Sequence, residues 1–182
     1  LAVLSLHTSP LAQPGTGDSG GMNVYVRELV AALAQAGVDC DVYVRRWSEQ
    51  LPEVVEVEPG FRVVHVDAGP TELTKEQLPE ITGVFADRVA AHLIERPVRA
   101  LHANYWLSGV VGHDLKHRLD LPLVSTFHTL ARVKAETGDP EPQRRVEAEA
   151  TVIGCSDAIL ASSEAEANQL RTLYHAPPER IE

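Results

Sequence analysis

Three pieces of residues 1–44 decide how this chain folds: Leu1-Ala-Val-Leu-Ser-Leu6, Gly15-Thr-Gly-Asp-Ser-Gly-Gly-Met-Asn23 and Cys40-Asp-Val-Tyr-Val44. The first is an apolar run of strand length. The second is a glycine-rich loop that leads into Met22, Val26, Leu29, Val30 and Leu33, apolar side chains spaced by three and four as on one face of a helix. Gly37 stands where a helix-ending glycine belongs, and the third piece is a second apolar run. Strand, helix and strand follow in that order. A glycine loop feeding a helix start aims several backbone N–H groups at one spot, under the positive end of the helix dipole, which suits phosphate.

The same alternation continues outward. Further strands are expected at 61–66, 100–102, 121–126 and 158–161, with helices at 22–36, 78–93, 105–119, 144–153 and 164–173. Val54–Val57 is joined to Phe61–Val66 by Glu58-Pro59-Gly60, a turn that gives one strand an antiparallel partner. Strands alternating with helices predict an α/β chain, a Rossmann-like doubly wound parallel sheet covered on both faces. The 182 residues make one domain, and Arg180-Ile181-Glu182 reads as the approach to a further strand at a domain boundary.

Composition sets limits. Hydrophobic residues at 44% and charged residues at 23% are ordinary for a globular protein, and no apolar stretch nears the ~18 residues of a membrane span. A net charge of −10 argues against nucleic acid and anionic membranes as partners, so an anionic ligand needs a local basic site. Cys40 and Cys155 are too few and too far apart for a disulfide framework or a close metal pair; both read as small buried apolar residues in a reducing, cytoplasmic setting.

Gly15, Gly17 and Gly20 satisfy G-x-G-x-x-G, but the first strand ends well before them. Arg45 and Arg46 stand where an NAD site wants an acid, which leaves an NADP oxidoreductase as an alternative. No G-K-[ST] follows, so there is no P-loop. His7, His102 and His128 lack the close spacing of a zinc site, and no metal is expected.

Ligands of open α/β sheets bind beyond the carboxyl ends of the strands. There the chain places His7 and Thr8, Arg45 and Arg46, Asn104, Tyr105 and Trp106, and His128 and Thr129. Each has a plainer reading: His128 as a structural histidine, Tyr105 and Trp106 as core, Lys75 as a solvated helix-start lysine. Arg144 and Arg145, with Glu147 and Glu149, read as surface charge pairs.

With these residues in view, the chain resembles a known family. His7-Thr-Ser-Pro-Leu-Ala-Gln-Pro-Gly-Thr-Gly-Asp-Ser-Gly-Gly-Met-Asn-Val-Tyr-Val26, Ala68-Gly-Pro70, Leu73-Thr-Lys-Glu-Gln-Leu-Pro79, Tyr105-Trp-Leu-Ser-Gly109 and His128-Thr-Leu130 stand in the order seen in the N-terminal domain of retaining GT-B glycosyltransferases of family 4. The branch that glycosylates inositol phosphate in actinobacterial mycothiol biosynthesis is the most similar, and sucrose-phosphate synthases share a looser version. The resemblance implies the N-terminal half of a GT-B fold. The active site would lie in a cleft shared with a donor-binding C-terminal domain whose acidic motif has no match here.

The resemblance also implies roles. Lys75, Tyr105, Thr129 and Arg144 would hold the phosphate of the acceptor, 1D-myo-inositol 3-phosphate in the most similar branch. His7 and the stretch Asp18, Ser19, Gly20, Gly21, Met22 and Asn23 would line its hydroxyls. Gln13, Pro14 and Gly21 would face the nucleotide-sugar donor, UDP-GlcNAc, with no other cofactor in this domain. His128 would contact the donor sugar at the reacting centre, and no enzymic nucleophile is implied. A homodimer is left open. Two departures bear on the acceptor: the family's H-S-H reads His102-Ala-Asn104 here, and the segment between Thr129 and Arg144 is shorter. A sugar-phosphate acceptor, as in the sucrose-phosphate synthases, is therefore an alternative, as is a non-catalytic phosphate-binding module.

Overall fold

The structure is a computed structural model and describes residues 1–12 and 20–182. In chain order its elements are β1 (Ala2–Leu4), α1 (Gly21–Gln35), β2 (Cys40–Arg45), β3 (Val54–Glu58), β4 (Phe61–Val66), a 3-10 helix (Lys75–Ile81) and α2 (Thr82–Glu95). Then come β5 (Leu101–Asn104), α3 (Trp106–Leu119), β6 (Leu123–Thr126), α4 (Ala131–Glu136), α5 (Gln143–Cys155), β7 (Ala158–Ile159), α6 (Glu164–Tyr174) and a 3-10 turn (Pro178–Arg180).

The strands form one seven-stranded sheet in the order β3-β4-β2-β1-β5-β6-β7. All neighbours are parallel except β3 and β4, which form the hairpin expected around Gly60, there at φ +83°. Strand order reverses on either side of β1, so a crevice opens above β1 and β5, where ligands of such sheets bind. Successive side chains of a strand face opposite ways. Ala2 and Leu4 therefore join the layer formed with Phe85 and Val89 of α2 and Leu115 of α3, while Val3 meets Val26 and Val30 of α1 on the other face. A third cluster joins Phe127 to Val152, Ile153, Leu170 and Tyr174 of α5 and α6.

Helix α3 packs closely against both the sheet and α5. A Cβ on Gly112 would stand 2.7 Å from Leu123 Cδ1, and one on Gly109 would stand 2.9 Å from Val152 Cγ1. Glycine is needed at both positions for close approach, not for backbone freedom.

Several expectations are refined. The helix expected from residue 78 begins as a 3-10 turn and becomes α-helical only at Thr82, because Pro79 has no N–H to donate. The first strand pairs over Ala2–Leu4 alone, although Ser5 and Leu6 stay buried and Leu6 N donates to Ser108 Oγ at 3.0 Å. Helix α4 was not expected; at six residues it shows too little periodicity to read. Cys40 is buried as expected, but Cys155 is only half-buried and its Sγ lies 2.9 Å from His113 Nδ1. Near the end, Ile181 makes a single parallel bridge to Ile159. No helix among the described residues is long and apolar enough to cross a membrane.

Candidate active site

A cavity of about 460 Å³ opens above the carboxyl ends of β1, β5 and β6. His7 enters it from β1, Met22 from the first turn of α1, Tyr105 from β5, and His128 and Thr129 from β6. Lys75 comes from the 3-10 helix and Arg144 from α5. The cavity thus gathers seven of the residues to which the resemblance gave site roles, drawn from separate parts of the chain, and Trp106 and Arg145 join them. Asn23, Gly20 and Gly21 are not in its described wall. Gln13, Pro14, Asp18 and Ser19, with Gly15 and Gly17, lie outside the described residues.

Tyr105 is the centre of the wall. Its backbone stands at φ +75°, ψ 156°, a region that side chains other than glycine rarely enter. The next residue, Trp106, starts α3, and Tyr105 N donates to Thr126 O of β6 at 2.8 Å. This turn sets the Tyr105 ring against His7, with centroids 4.4 Å apart, and leaves Lys75 Nζ 5.7 Å from its centroid. His128, after β6, also has positive φ, at +63°. Backbone strain sits on both sides of the cavity.

Behind Tyr105 stands a residue that sequence reading misassigned. Arg145 is 3% exposed, not on the surface, and Glu149 is completely buried. Arg145 Nε donates to Glu149 Oε1 at 2.8 Å, Nη1 pairs with Glu141 at 2.8 Å, and the guanidinium donates to Tyr105 Oη at 3.2 Å and Thr129 Oγ1 at 3.0 Å. Glu149 also accepts from Ala131 N at 2.8 Å and from the Tyr174 hydroxyl. The signal was present: Arg145 and Glu149 share a helical face with Val152 and Ile153, and a charged pair on the apolar face of a helix is buried. Guanidinium has only donors. Tyr105 and Thr129 must therefore accept from it, which leaves their own hydroxyl hydrogens for another acceptor.

Arg144, one residue earlier, is exposed on the cavity rim and donates to Glu76 O at 3.0 Å. Arg45 is buried and donates to Pro70 O at 3.0 Å and Thr71 O at 3.1 Å, fixing the loop that leads to Lys75. Arg46 donates to Glu49 and Leu51 carbonyls, so both arginines of the dehydrogenase alternative are engaged by backbone oxygens. The Asn23 side chain is likewise occupied: Oδ1 accepts from Thr8 Oγ1 and Nδ2 donates to Ser9 O, each at 2.8 Å. It ties the start of α1 to the loop after β1.

His7, His102 and His128 are neutral at pH 7. Burial, with the charges of Lys75, His128 and Arg145 behind it, lowers His7 to about 3. Burial lowers His128 to about 4 against a small opposing effect of Glu166, and lowers His102 to about 4 with help from His128. Among the described residues no three His, Cys, Asp or Glu side chains are placed to hold a metal ion. The cavity wall carries the cations Lys75, Lys134, Arg144 and Arg145, the carboxylates Glu76 and Glu141 and the hydroxyls of Tyr105 and Thr129, with the uncharged imidazoles of His7 and His128 beside them.

The family model described as Glycosyl transferase 4-like domain matches residues 20–182. The D-inositol 3-phosphate glycosyltransferase of Xylanimonas cellulosilytica is 50% identical over 189 residues, covering 100% of this chain and 45% of that protein. Its namesake from Thermobispora bispora is 44% identical, with 100% and 44% covered. The chain thus spans less than half the length of these relatives. Among solved structures, sucrose-phosphate synthase from Thermosynechococcus elongatus superposes with a TM-score of 0.88 at 31% identity, over 93% of this chain and 44% of that one. HepE of Anabaena, solved with UDP and glucose, shares the fold at a TM-score of 0.62 and 12% identity, over 100% and 42%.

Proposed function

The chain belongs to the glycosyl transferase 4-like family, and from that membership we propose that it is the acceptor-side domain of a retaining glycosyltransferase. It moves a sugar, GlcNAc from UDP-GlcNAc, onto a phosphorylated polyol such as 1D-myo-inositol 3-phosphate. One observation carries this reading: in a chain of net charge −10, a single cavity collects Lys75, Arg144, Tyr105 and Thr129 around one space. Two cations balance a phosphate dianion, and two hydroxyls whose oxygens already accept from Arg145 turn their hydrogens to the phosphate oxygens. His7, Gly20 and Met22 border the ring of the acceptor, and Gly21 borders the donor diphosphate.

On this reading the acceptor is bound and oriented here, which is the larger part of what a domain contributes before chemistry begins. His128, neutral and at the mouth, meets the donor sugar. It is too weak a base to hold a proton at neutral pH, so the donor phosphate assists removal of the acceptor proton while fixed dipoles stabilise the leaving diphosphate. This chain covers 45% of the Xylanimonas relative, and the rest of that length leaves room for the donor-binding domain.

A second reading keeps the class and changes the acceptor to a sugar phosphate. The TM-score of 0.88 to sucrose-phosphate synthase favours it. Calorimetric titration with D-inositol 3-phosphate, fructose 6-phosphate and unphosphorylated inositol separates the two. Binding of the inositol phosphate alone supports the first, and fructose 6-phosphate alone supports the second. Equal binding of unphosphorylated inositol, or no binding of any, overturns the phosphate pocket.

A further inference from the structure

We propose that Asn104 is a positioning residue that fixes which nitrogen of His128 carries the hydrogen, so that the ring meets its ligand as a hydrogen-bond acceptor. Asn104 ends β5 and is completely buried, and its Oδ1 lies 3.0 Å from His128 Nε2. An amide oxygen only accepts, so Nε2 bears the hydrogen and Nδ1 keeps the lone pair. The ring is held from another side by Tyr25, edge-on with centroids 5.0 Å apart. An amide does not titrate, so its oxygen accepts at every pH at which the ring is neutral.

The cost of the arrangement supports its purpose. Asn104 Nδ2 is buried with no hydrogen-bond partner among the described residues, and an unpaired buried amide is destabilising. A leucine, branched at the same carbon, would have no amide to leave unpaired. What the amide adds is the bond to His128. Neighbouring His102 is separately engaged, with Nε2 2.9 Å from Thr126 Oγ1, and does not compete for Asn104.

The consequence is a specificity rule for the mouth of the cavity. His128 Nδ1 accepts from a hydroxyl of the bound sugar and discriminates against a deoxy or O-methyl analogue at that position. This last step rests on the reading that His128 meets the donor sugar, whereas the tautomer is a property of the unliganded protein and is tested apart from it.

The experiment is a long-range 1H–15N correlation on the 15N-histidine-labelled protein without ligand at neutral pH, with His128 assigned from the spectrum of His128→Gln. The wild type is expected to show His128 as a single tautomer with Nε2 protonated and Nδ1 bare. Asn104→Leu is expected to shift it to a mixture of both tautomers. A wild-type ring protonated at Nδ1 overturns the proposal, as does an unchanged single tautomer in Asn104→Leu. Should that variant fail to fold, Asn104→Ala takes its place with the same expected mixture, and an unchanged single tautomer there overturns the proposal.

Discussion

Arg145 donates to the hydroxyl of Tyr105 at 3.2 Å while its guanidinium carbon stands 5.1 Å from the centroid of the same ring. One buried cation thus fixes both the polar end and the face of the residue at the centre of the cavity. Because Glu149 is completely buried beside it, removing Arg145 leaves a carboxylate without its partner. Arg145→Ala is expected to cost about 3–5 kcal/mol of stability. Arg144→Ala, on the exposed rim, is expected to leave stability within ~0.5 kcal/mol and to weaken binding of the phosphorylated acceptor by about 1.5–3 kcal/mol. Urea denaturation and calorimetry on both variants check this, and similar profiles for the two would remove the distinction.

Tyr105 is expected to reverse the usual order of alanine and glycine. At φ +75° and ψ 156° any side chain is strained, and glycine is not. Tyr105→Gly should therefore be more stable than Tyr105→Ala by about 1–3 kcal/mol. Paired denaturation curves decide, and a more stable alanine variant would count against this backbone conformation.

Acid should loosen the fold before most carboxylates titrate. Unfolded histidines take up protons below about pH 6.5, whereas His102 and His128 stay neutral to about 4 and His7 to about 3 in the native state. The unfolded chain then binds more protons, so stability falls as pH drops from about 6.5 toward 4. His102 alone accounts for roughly 3 kcal/mol. Denaturation at a series of pH values should show this slope, and His102→Gln should flatten it by one histidine's share.

Gly21→Ala should separate stability from function. A Cβ there meets no described atom within 4 Å, and the residue opens α1. Alanine is expected to raise stability by up to ~1 kcal/mol. If the donor diphosphate approaches this turn, kcat/KM for UDP-GlcNAc in the intact enzyme should fall about tenfold. An unchanged kcat/KM would move the donor elsewhere.

Much of this arrangement is readable in the residues. The β–α alternation, the turn at Glu58-Pro59-Gly60 and the rule that sites lie beyond strand ends led to His7, Tyr105, His128 and Thr129, all of which line one cavity. What failed was local geometry. Arg144 and Arg145 are adjacent in sequence but about 100° apart around a helix, so one lies on the rim and the other inside. Only the company of Glu149, Val152 and Ile153 shows which. Asn23 lies in the motif, yet its side chain serves Thr8 and Ser9, and no periodicity reveals how the loop after β1 passes.

The central place of β1 has a consequence for how the molecule is made. β1 is flanked by β2 and β5, pairing Ala2 with Asp41 on one side and with Leu101 on the other. A growing chain makes β1 long before β5 is available, and contacts so distant in sequence form slowly. Until Leu101–Asn104 emerge, Leu4 and its neighbours have one edge without a partner and an apolar face without α3. A nascent chain halted in that interval exposes the very strand that later lies deepest, and there chaperone binding or aggregation should begin.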